Sequence, residues 1–316
     1  MAAITKASAV VFEKPGSMAL REVDLIAPTD ADCIVDIEWS GISTGTERLL
    51  WQGRMPPFPG LSYPLVPGYE SVGRVRNACD TATVKVGERV FVPGSTGFQD
   101  VAGLFGGASS SLVVPAERLI SLGDTLGEEA TLLALAGTAY HAIQRADGEL
   151  PQLVVGHGVL GRLIARIIRA LDGDDLTVWE RNPDRRSGAS NYPVVDPELD
   201  ERRDYRVICD VSGASNLLDD LIARLAPGGH IVLAGFYDNP LSFVFPQAFI
   251  REIRMSVAAE WQPSDLQAVL TLIQEGRLSL DGLITHRATP QNAEAAYQQA
   301  FESAECLKMI LDWRNA

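Results

Sequence analysis

Four cysteines serve 316 residues, and no two of them form a C-x-x-C pair. Cys33, Cys79, Cys209 and Cys306 are too scattered for a disulfide framework or a cysteine-held zinc site, so they read as buried thiols. Basic residues are scarce as well: 27 Lys and Arg against 41 Asp and Glu leave a net charge of −14. A nucleic-acid or anionic-membrane surface calls for basic patches, so neither partner is expected. Long apolar runs are missing too. The most apolar stretch, Ala130 to Ala139, is too short to span a bilayer and lacks the flanks of a signal peptide. A cytoplasmic chain without stable membrane insertion is expected, and loose membrane association stays open for a greasy substrate.

What remains is an ordinary globular composition, 46% apolar and 22% charged, at a length that suggests about two domains. One stretch organises the chain. Leu153-Val154-Val155 reads as a short buried strand, Gly156-His157-Gly158 as a tight turn, and Val159-Leu160-Gly161 as the start of a helix. The glycines fit G-x-G-x-x-G: the first for the turn, the second for close approach of a pyrophosphate, the third for helix–strand packing. The helix then offers free N–H groups and its positive dipole end to the phosphates. Leu160, Leu163, Ile164, Ile167, Ile168 and Leu171 fall at helical spacing, with Arg162, Arg166 and Arg169 on the other face. A second strand, Leu176 to Trp179, ends at Glu180, the acid expected about 20 residues on to hold an adenosine ribose. The expectation is a bound dinucleotide. Glu180 would repel a 2′-phosphate and favours NAD over NADP, whereas Arg181, Arg185 and Arg186 pull the other way.

Around this stretch the chain has two characters. The first 120 residues are β-rich, with strands expected at Val10-Val11-Phe12, around Val35–Trp39, at Ser71–Val75 and at Val84–Val92, the last broken at Gly87-Glu88. Two irregular loops, Trp51–Gly60 and Pro93–Ala108, are rich in Pro and Gly or Gly alone. From Glu128 onward strands alternate with helices: Val207–Val211, a helix Leu217–Leu225 stopped by Pro227-Gly228-Gly229, then His230–Ala234 and Ser256–Ala259. That alternation predicts an α/β fold with a doubly wound parallel sheet. A helix around Leu266–Ile273 begins a return to the first domain, ending in an amphipathic segment (Ala293, Ala296, Tyr297, Ala300, Phe301) and a strand Leu307–Leu311.

Gly41-Ile42-Ser43-Thr44-Gly45-Thr46-Glu47, Gly68-Tyr69-Glu70, Thr138-Ala139-Tyr140-His141-Ala142 and the glycine turn together resemble the medium-chain dehydrogenase/reductase superfamily. The resemblance implies a GroES-like catalytic domain over 1–122, a Rossmann domain over 123–260 and a C-terminal return over 261–316. In zinc-dependent members three side chains hold the metal, and those positions here carry Thr44, Tyr69 and Ala134. Zinc needs thiolate, imidazole or carboxylate, so no catalytic metal is expected. Trp39–Glu47, Arg54–Gly60, Tyr63–Glu70 and Ala258–Pro263 resemble one zinc-free branch more narrowly, the bacteriochlorophyllide a dehydrogenases. That branch implies oxidation of a 3-(1-hydroxyethyl) group to 3-acetyl on a tetrapyrrole, with NAD⁺ as hydride acceptor.

Without zinc, a side chain must assist departure of the hydroxyl proton. Tyr69, standing where a metal ligand would, is the first candidate; simple packing is the alternative. Glu70 and Glu47 are candidate bases, Thr46 stands where the resemblance implies a proton-relay hydroxyl, and Thr44 lies beside them, though each also reads as structural. Glu47 in particular reads as a partner for an arginine. Of the histidines, His141 and His230 read as packed, His157 as a turn position and His286 as a residue near the cleft. Trp51, Met55, Phe58, Tyr63, Phe98 and Phe105 sit in loops where they would suit a flat macrocycle, or pack on themselves. Arg48 and Arg54 suit a substrate propionate. Two rivals stand beside this reading: a zinc-free NADPH-dependent enone or quinone reductase, and a non-catalytic NAD(H)-binding protein. Homo-oligomer formation is open.

Overall fold

The computed structural model describes residues 6–57, 59–80, 82–123, 125–189, 191–237 and 239–315. The chain forms two compact units, one from residues 1–133 and 283–316, the other from 134–282. The boundaries expected from the sequence are 122/123 and 260/261. The difference at the second lies in the helix Pro263–Gln274, which belongs to the second unit. Its capping Asp265 accepts from the Gln262 N–H and meets His141 Nδ1 at 2.9 Å, tying it to the helix Leu133–Gln144.

The first unit is built on a long central strand, Asp32–Ile42. Antiparallel partners flank it: Ser71–Asn77 and Ser111–Pro115, and Met309–Asp312 returning from the far end of the chain. Arg89–Val92, Ile120–Ser121 and His286–Ala288 complete a seven-stranded sheet. Lys6–Lys14 and Ser17–Asp24 make a separate hairpin through the Pro15-Gly16 turn. The expected strand from Val84 begins only at Arg89, because Lys85 N–H bonds the Glu88 carboxylate and closes a turn there. Phe12 anchors the core, edge-on to Trp51 at 5.6 Å and to Tyr297 at 5.4 Å. Such rings bury large apolar areas and add a favourable edge-to-face contact to the core.

The second unit is a six-stranded, wholly parallel sheet. In chain order its strands are Leu153–Val155, Thr177–Trp179, Val194–Val195, Tyr205–Asp210, Leu225–Leu233 and Arg254–Val257. In space they run third, second, first, fourth, fifth, sixth. This is the dinucleotide-binding order, and the first and fourth strands meet at its switch point. Two details depart from expectation. The helix ends at Arg224, close to its expected end, but the next strand starts at Leu225 rather than at His230; the register jumps from Tyr205↔Leu225 to Val207↔His230, so Pro227-Gly228-Gly229 lies in a bulge within that strand. Between the second and third strands a single turn, Pro183–Arg185, stands in place of a helix. Among the described residues, no helix is long and apolar enough to cross a membrane.

Candidate active site

In the first unit the central strand ends at Ile42 and the chain turns through Ser43-Thr44-Gly45 into the short helix Thr46–Trp51. Ser43 and Glu47 lock this turn reciprocally. The Glu47 N–H donates to the Ser43 carbonyl at 3.0 Å, and Glu47 Oε1 accepts from the Ser43 N–H at 2.8 Å. Glu47 is fully buried. Its other oxygen faces the buried Tyr297 hydroxyl outside hydrogen-bond geometry, and neither atom has another partner. Burial, with the Glu70 carboxyl nearby, pushes the Glu47 carboxyl up to about 8 against the pull of the Ser43 N–H. It is therefore protonated at neutral pH. Among the described residues no arginine bonds it, contrary to expectation: Arg48 is exposed and donates to the Phe301 carbonyl.

Tyr69 reaches the same turn. Its hydroxyl lies 2.5 Å from Ser43 Oγ and 3.4 Å from Thr46 Oγ1, and its ring packs 5.3 Å from that of Phe105. Burial and the neighbouring Glu70 push this hydroxyl well above its ordinary range. A phenolate needs a cation or metal beside it, and the groups acting on Tyr69 are two acids and two hydroxyls. Tyr69 thus serves as a neutral hydroxyl, able both to accept and to donate. Thr44 and Thr46 are half-buried on either side of Gly45.

Glu70 faces the other way. Its Oε2 accepts from Lys308 Nζ, with both side chains at most 1% exposed. Burial pushes the carboxyl up and the ammonium draws it part of the way back. Room for the pair comes from Gly41: a Cβ there would strike Glu70 Oε2 and come within 3.0 Å of Lys308 Cε. The pair joins the start of the strand after Tyr69 to the strand returning from the C-terminal end.

In the second unit the glycine turn has the geometry the motif requires. Gly156 sits at φ +107, and a Cβ on Gly161 would land on the Gly156 carbonyl, so strand and helix touch backbone to backbone. A Cβ on Gly158 would meet nothing within 4 Å, leaving the approach to the turn clear. The helix Val159–Ala170 starts with no side-chain cap, so its first N–H groups are available to an anion. Glu180 closes the site: its carboxylate accepts from the His157 N–H at 3.2 Å and from the Asn182 N–H at 2.8 Å. Arg181 beside it is exposed.

A family model described as the alcohol dehydrogenase GroES-like domain matches residues 29–124. The 2-desacetyl-2-hydroxyethyl bacteriochlorophyllide A dehydrogenase of Rhodobacter capsulatus is 53% identical over 97% of this chain and 98% of its own. The protein of the same name from Cereibacter sphaeroides is 49% identical over 98% of this chain and 99% of its own. The chain belongs to the medium-chain dehydrogenase/reductase superfamily. It is an oxidoreductase of the alcohol dehydrogenase type. The fold agrees: 2R,3R-butanediol dehydrogenase from Bacillus subtilis superposes with a TM-score of 0.85 at 21% identity, covering 97% of this chain and 99% of that one.

Within that superfamily the metal positions matter. Thr44, Tyr69 and Ala134 offer two hydroxyls and a methyl, and none of these is a donor that zinc favours. Among the described residues no group of three or more His, Cys, Asp or Glu is placed to hold a metal ion. The donor set does not fit a catalytic zinc.

The remaining sequence candidates are distributed unevenly. Tyr69, Ser43, Thr46 and Glu47 come together, with Glu70 adjoining. Trp51, Met55 and Tyr63 pack partly buried against the first unit's core, and the Tyr63 hydroxyl donates to the Leu50 carbonyl at 2.5 Å. Phe98 is buried, whereas Phe105 stands beside Tyr69. Phe58 lies outside the described residues. Arg54 is exposed. His286 bonds its neighbour Thr285 at 2.9 Å, and His230 bonds Ser256 at 2.9 Å. Sequence reasoning missed Ser43, Lys308, Tyr297 and Arg162. A lysine inside the apolar run Leu307–Leu311 was the one signal on offer. Arg162, expected on the solvent face of its helix, is buried at 8% exposure, because backbone carbonyls of a later loop satisfy it.

Proposed function

We propose that this protein oxidises the 3-(1-hydroxyethyl) group of a bacteriochlorophyllide, or of a related chlorin, to 3-acetyl, with NAD⁺ as hydride acceptor and without zinc. The observation that carries this is 53% identity over 97% of the chain with a relative named for a hydroxyethyl bacteriochlorophyllide substrate. The glycine turn and Glu180 fit a dinucleotide whose ribose carries a free 2′-hydroxyl, and a nicotinamide supplies the hydride acceptor. The carbinol carbon gives up hydride, the hydroxyl gives up its proton, and a C=O bond forms.

The protein's share is the proton. Zinc would lower the alcohol's pKa by coordination; here a hydroxyl relay replaces it. Tyr69 accepts the substrate proton as it passes its own to a neighbouring hydroxyl. Ser43, at 2.5 Å, orients the phenol, and half-buried Thr46 hands the proton on to solvent water, its final acceptor. Glu47, protonated and bound to the Ser43 N–H, holds the turn rather than acting as base. Glu70, paired with Lys308, fixes the backbone that carries Tyr69. Phe105 beside Tyr69 gives a flat macrocycle an apolar face, and exposed Arg48 and Arg54 suit its propionate.

The test is direct. Purified protein mixed with a 3-hydroxyethyl bacteriochlorin and NAD⁺ should shift the long-wavelength absorption band to the red as the acetyl group extends conjugation. No shift with either NAD⁺ or NADP⁺ would sink the reading, and stoichiometric zinc in the active protein would overturn the relay.

A further inference from the structure

Glu180 is followed by Arg181, Arg185 and Arg186, and a guanidinium standing free beside the ribose would recruit a 2′-phosphate. The fold ties this segment back onto the glycine turn instead. His157, the residue between the first two glycines, has a fully buried side chain. Its Nδ1 lies 2.7 Å from the Arg185 carbonyl and its Nε2 lies 3.1 Å from the Tyr192 hydroxyl. A carbonyl only accepts, so Nδ1 carries the hydrogen and Nε2 accepts from Tyr192. Burial holds the ring neutral, lowering its pKa to about 4.

Arg162 braces the same segment from the first turn of the helix. Its Nε donates to the His157 carbonyl at 3.1 Å, and its Nη2 donates to the carbonyls of Arg185 at 3.0 Å and Ser187 at 2.8 Å. The chain passes so close that a Cβ on Gly188 would stand 2.6 Å from Arg162 Nη1. Arg186 is engaged as well: its Nε bonds the Glu180 carbonyl at 2.8 Å, and its Nη2 bonds the Arg181 carbonyl at 2.8 Å and Asp196 Oδ2 at 2.5 Å. The main chain from Glu180 to Ser187 is held at both ends and in the middle.

We propose that His157, braced by Arg162 and Tyr192, is a positioning residue that locks Arg181–Ser187 in a shape withholding its arginines from the ribose, so that the site selects NAD(H) over NADP(H). This rests on the reading of a nicotinamide dinucleotide at the turn. Releasing the lock frees guanidinium groups to reach a 2′-phosphate while Glu180 stays in place.

The experiment titrates NADH and NADPH against the full-length protein and its variants by nucleotide fluorescence, with circular dichroism and amide exchange alongside. Wild-type protein should bind NADH at least about tenfold more tightly than NADPH, and His157→Leu should narrow that ratio about tenfold, the scale of one or two hydrogen bonds. Most of the change should be gained NADPH affinity, with faster exchange of the amides in 181–187. His157→Asn, which keeps an N–H near the Arg185 carbonyl, should restore much of the ratio. An unchanged ratio in folded His157→Leu overturns the proposal, as does equal weakening of both coenzymes, which is what a merely structural role produces. Should His157→Leu fail to fold, Tyr192→Phe decides: it removes one hydroxyl and must narrow the ratio about threefold, and an unmoved ratio refutes the lock. Wild-type protein that binds neither coenzyme refutes the reading of the turn itself, a separate outcome.

Discussion

Replacing Lys308 by methionine tests the buried pair that underlies Tyr69. Both partners are at most 1% exposed, and Glu70 Oε1 already lacks a hydrogen-bond partner. Met fills nearly the same volume, so the change removes charge and leaves packing largely intact. Breaking a buried pair by removing one partner costs about 3–5 kcal/mol. The variant has one escape, which is for Glu70 to take up a proton. Starting from a carboxyl that ordinarily titrates near 4.5, neutralising it at pH 7 costs about 3–4 kcal/mol, at 1.36 kcal/mol per pH unit. The two figures agree. At pH 5 the same proton costs only about 1 kcal/mol. The sign follows from linkage: Glu70 in folded Lys308→Met has a pKa raised above its unfolded value. Between those two values the folded state binds more protons, so stability falls as pH rises. Wild-type Glu70 already carries part of this burial cost, so urea unfolding at pH 5 and pH 7 should show a destabilisation against wild type that grows with pH, from at most about 1 kcal/mol to at most about 3–4 kcal/mol. Glu70→Gln combined with Lys308→Met should recover most of the loss and remove its pH dependence. A cost equal at both pH values, or below about 1 kcal/mol at pH 7, would refute the reasoning.

Tyr69→Phe removes the relay hydroxyl but keeps the ring against Phe105; turnover should fall about a hundredfold with NADH affinity unchanged, and undiminished turnover would take Tyr69 out of the mechanism. Glu47, held near 8 by burial, binds a proton when folded that it releases when unfolded at neutral pH, so its burial costs progressively more stability as pH rises from about 4.5 to 8. Glu47→Gln can still accept from the Ser43 N–H and should flatten stability over that window, leaving the variant more stable than wild type at pH 9 in thermal melts. A variant melting below wild type at pH 9 would refute the raised pKa, because it would mean that the fold stabilises the Glu47 carboxylate rather than penalising it.

The parallel sheet was legible because its evidence is local. Gly161 must be glycine because the Gly156 carbonyl, five residues back, stands where its Cβ would be, and the helix after it shows its apolar face at a 3.6-residue period. What stayed hidden depends on partners far along the chain. The Pro227-Gly228-Gly229 triplet looks like a stop, but Val207 pairs with His230 and carries the strand past it. Trp51, Met55 and Tyr63 sit in a loop by sequence, yet they find the core around Phe12. Arg162 shows the limit most clearly. A helical wheel sorts by charge and turns it outward, while the carbonyls of Arg185 and Ser187, more than twenty residues on, draw it in. Lys308 and Glu70 are 238 positions apart. Burying a polar group costs free energy unless a partner meets it, so Arg162, Glu70 and Lys308 could be placed only once those distant partners were known. In the first unit those residues surround the hydroxyl proposed to take a proton; in the second they surround the turn proposed to choose the coenzyme. Hydropathy patterning found the scaffold, and its failures at Arg162, Glu47 and Lys308 lie beside the proposed relay and the proposed coenzyme lock.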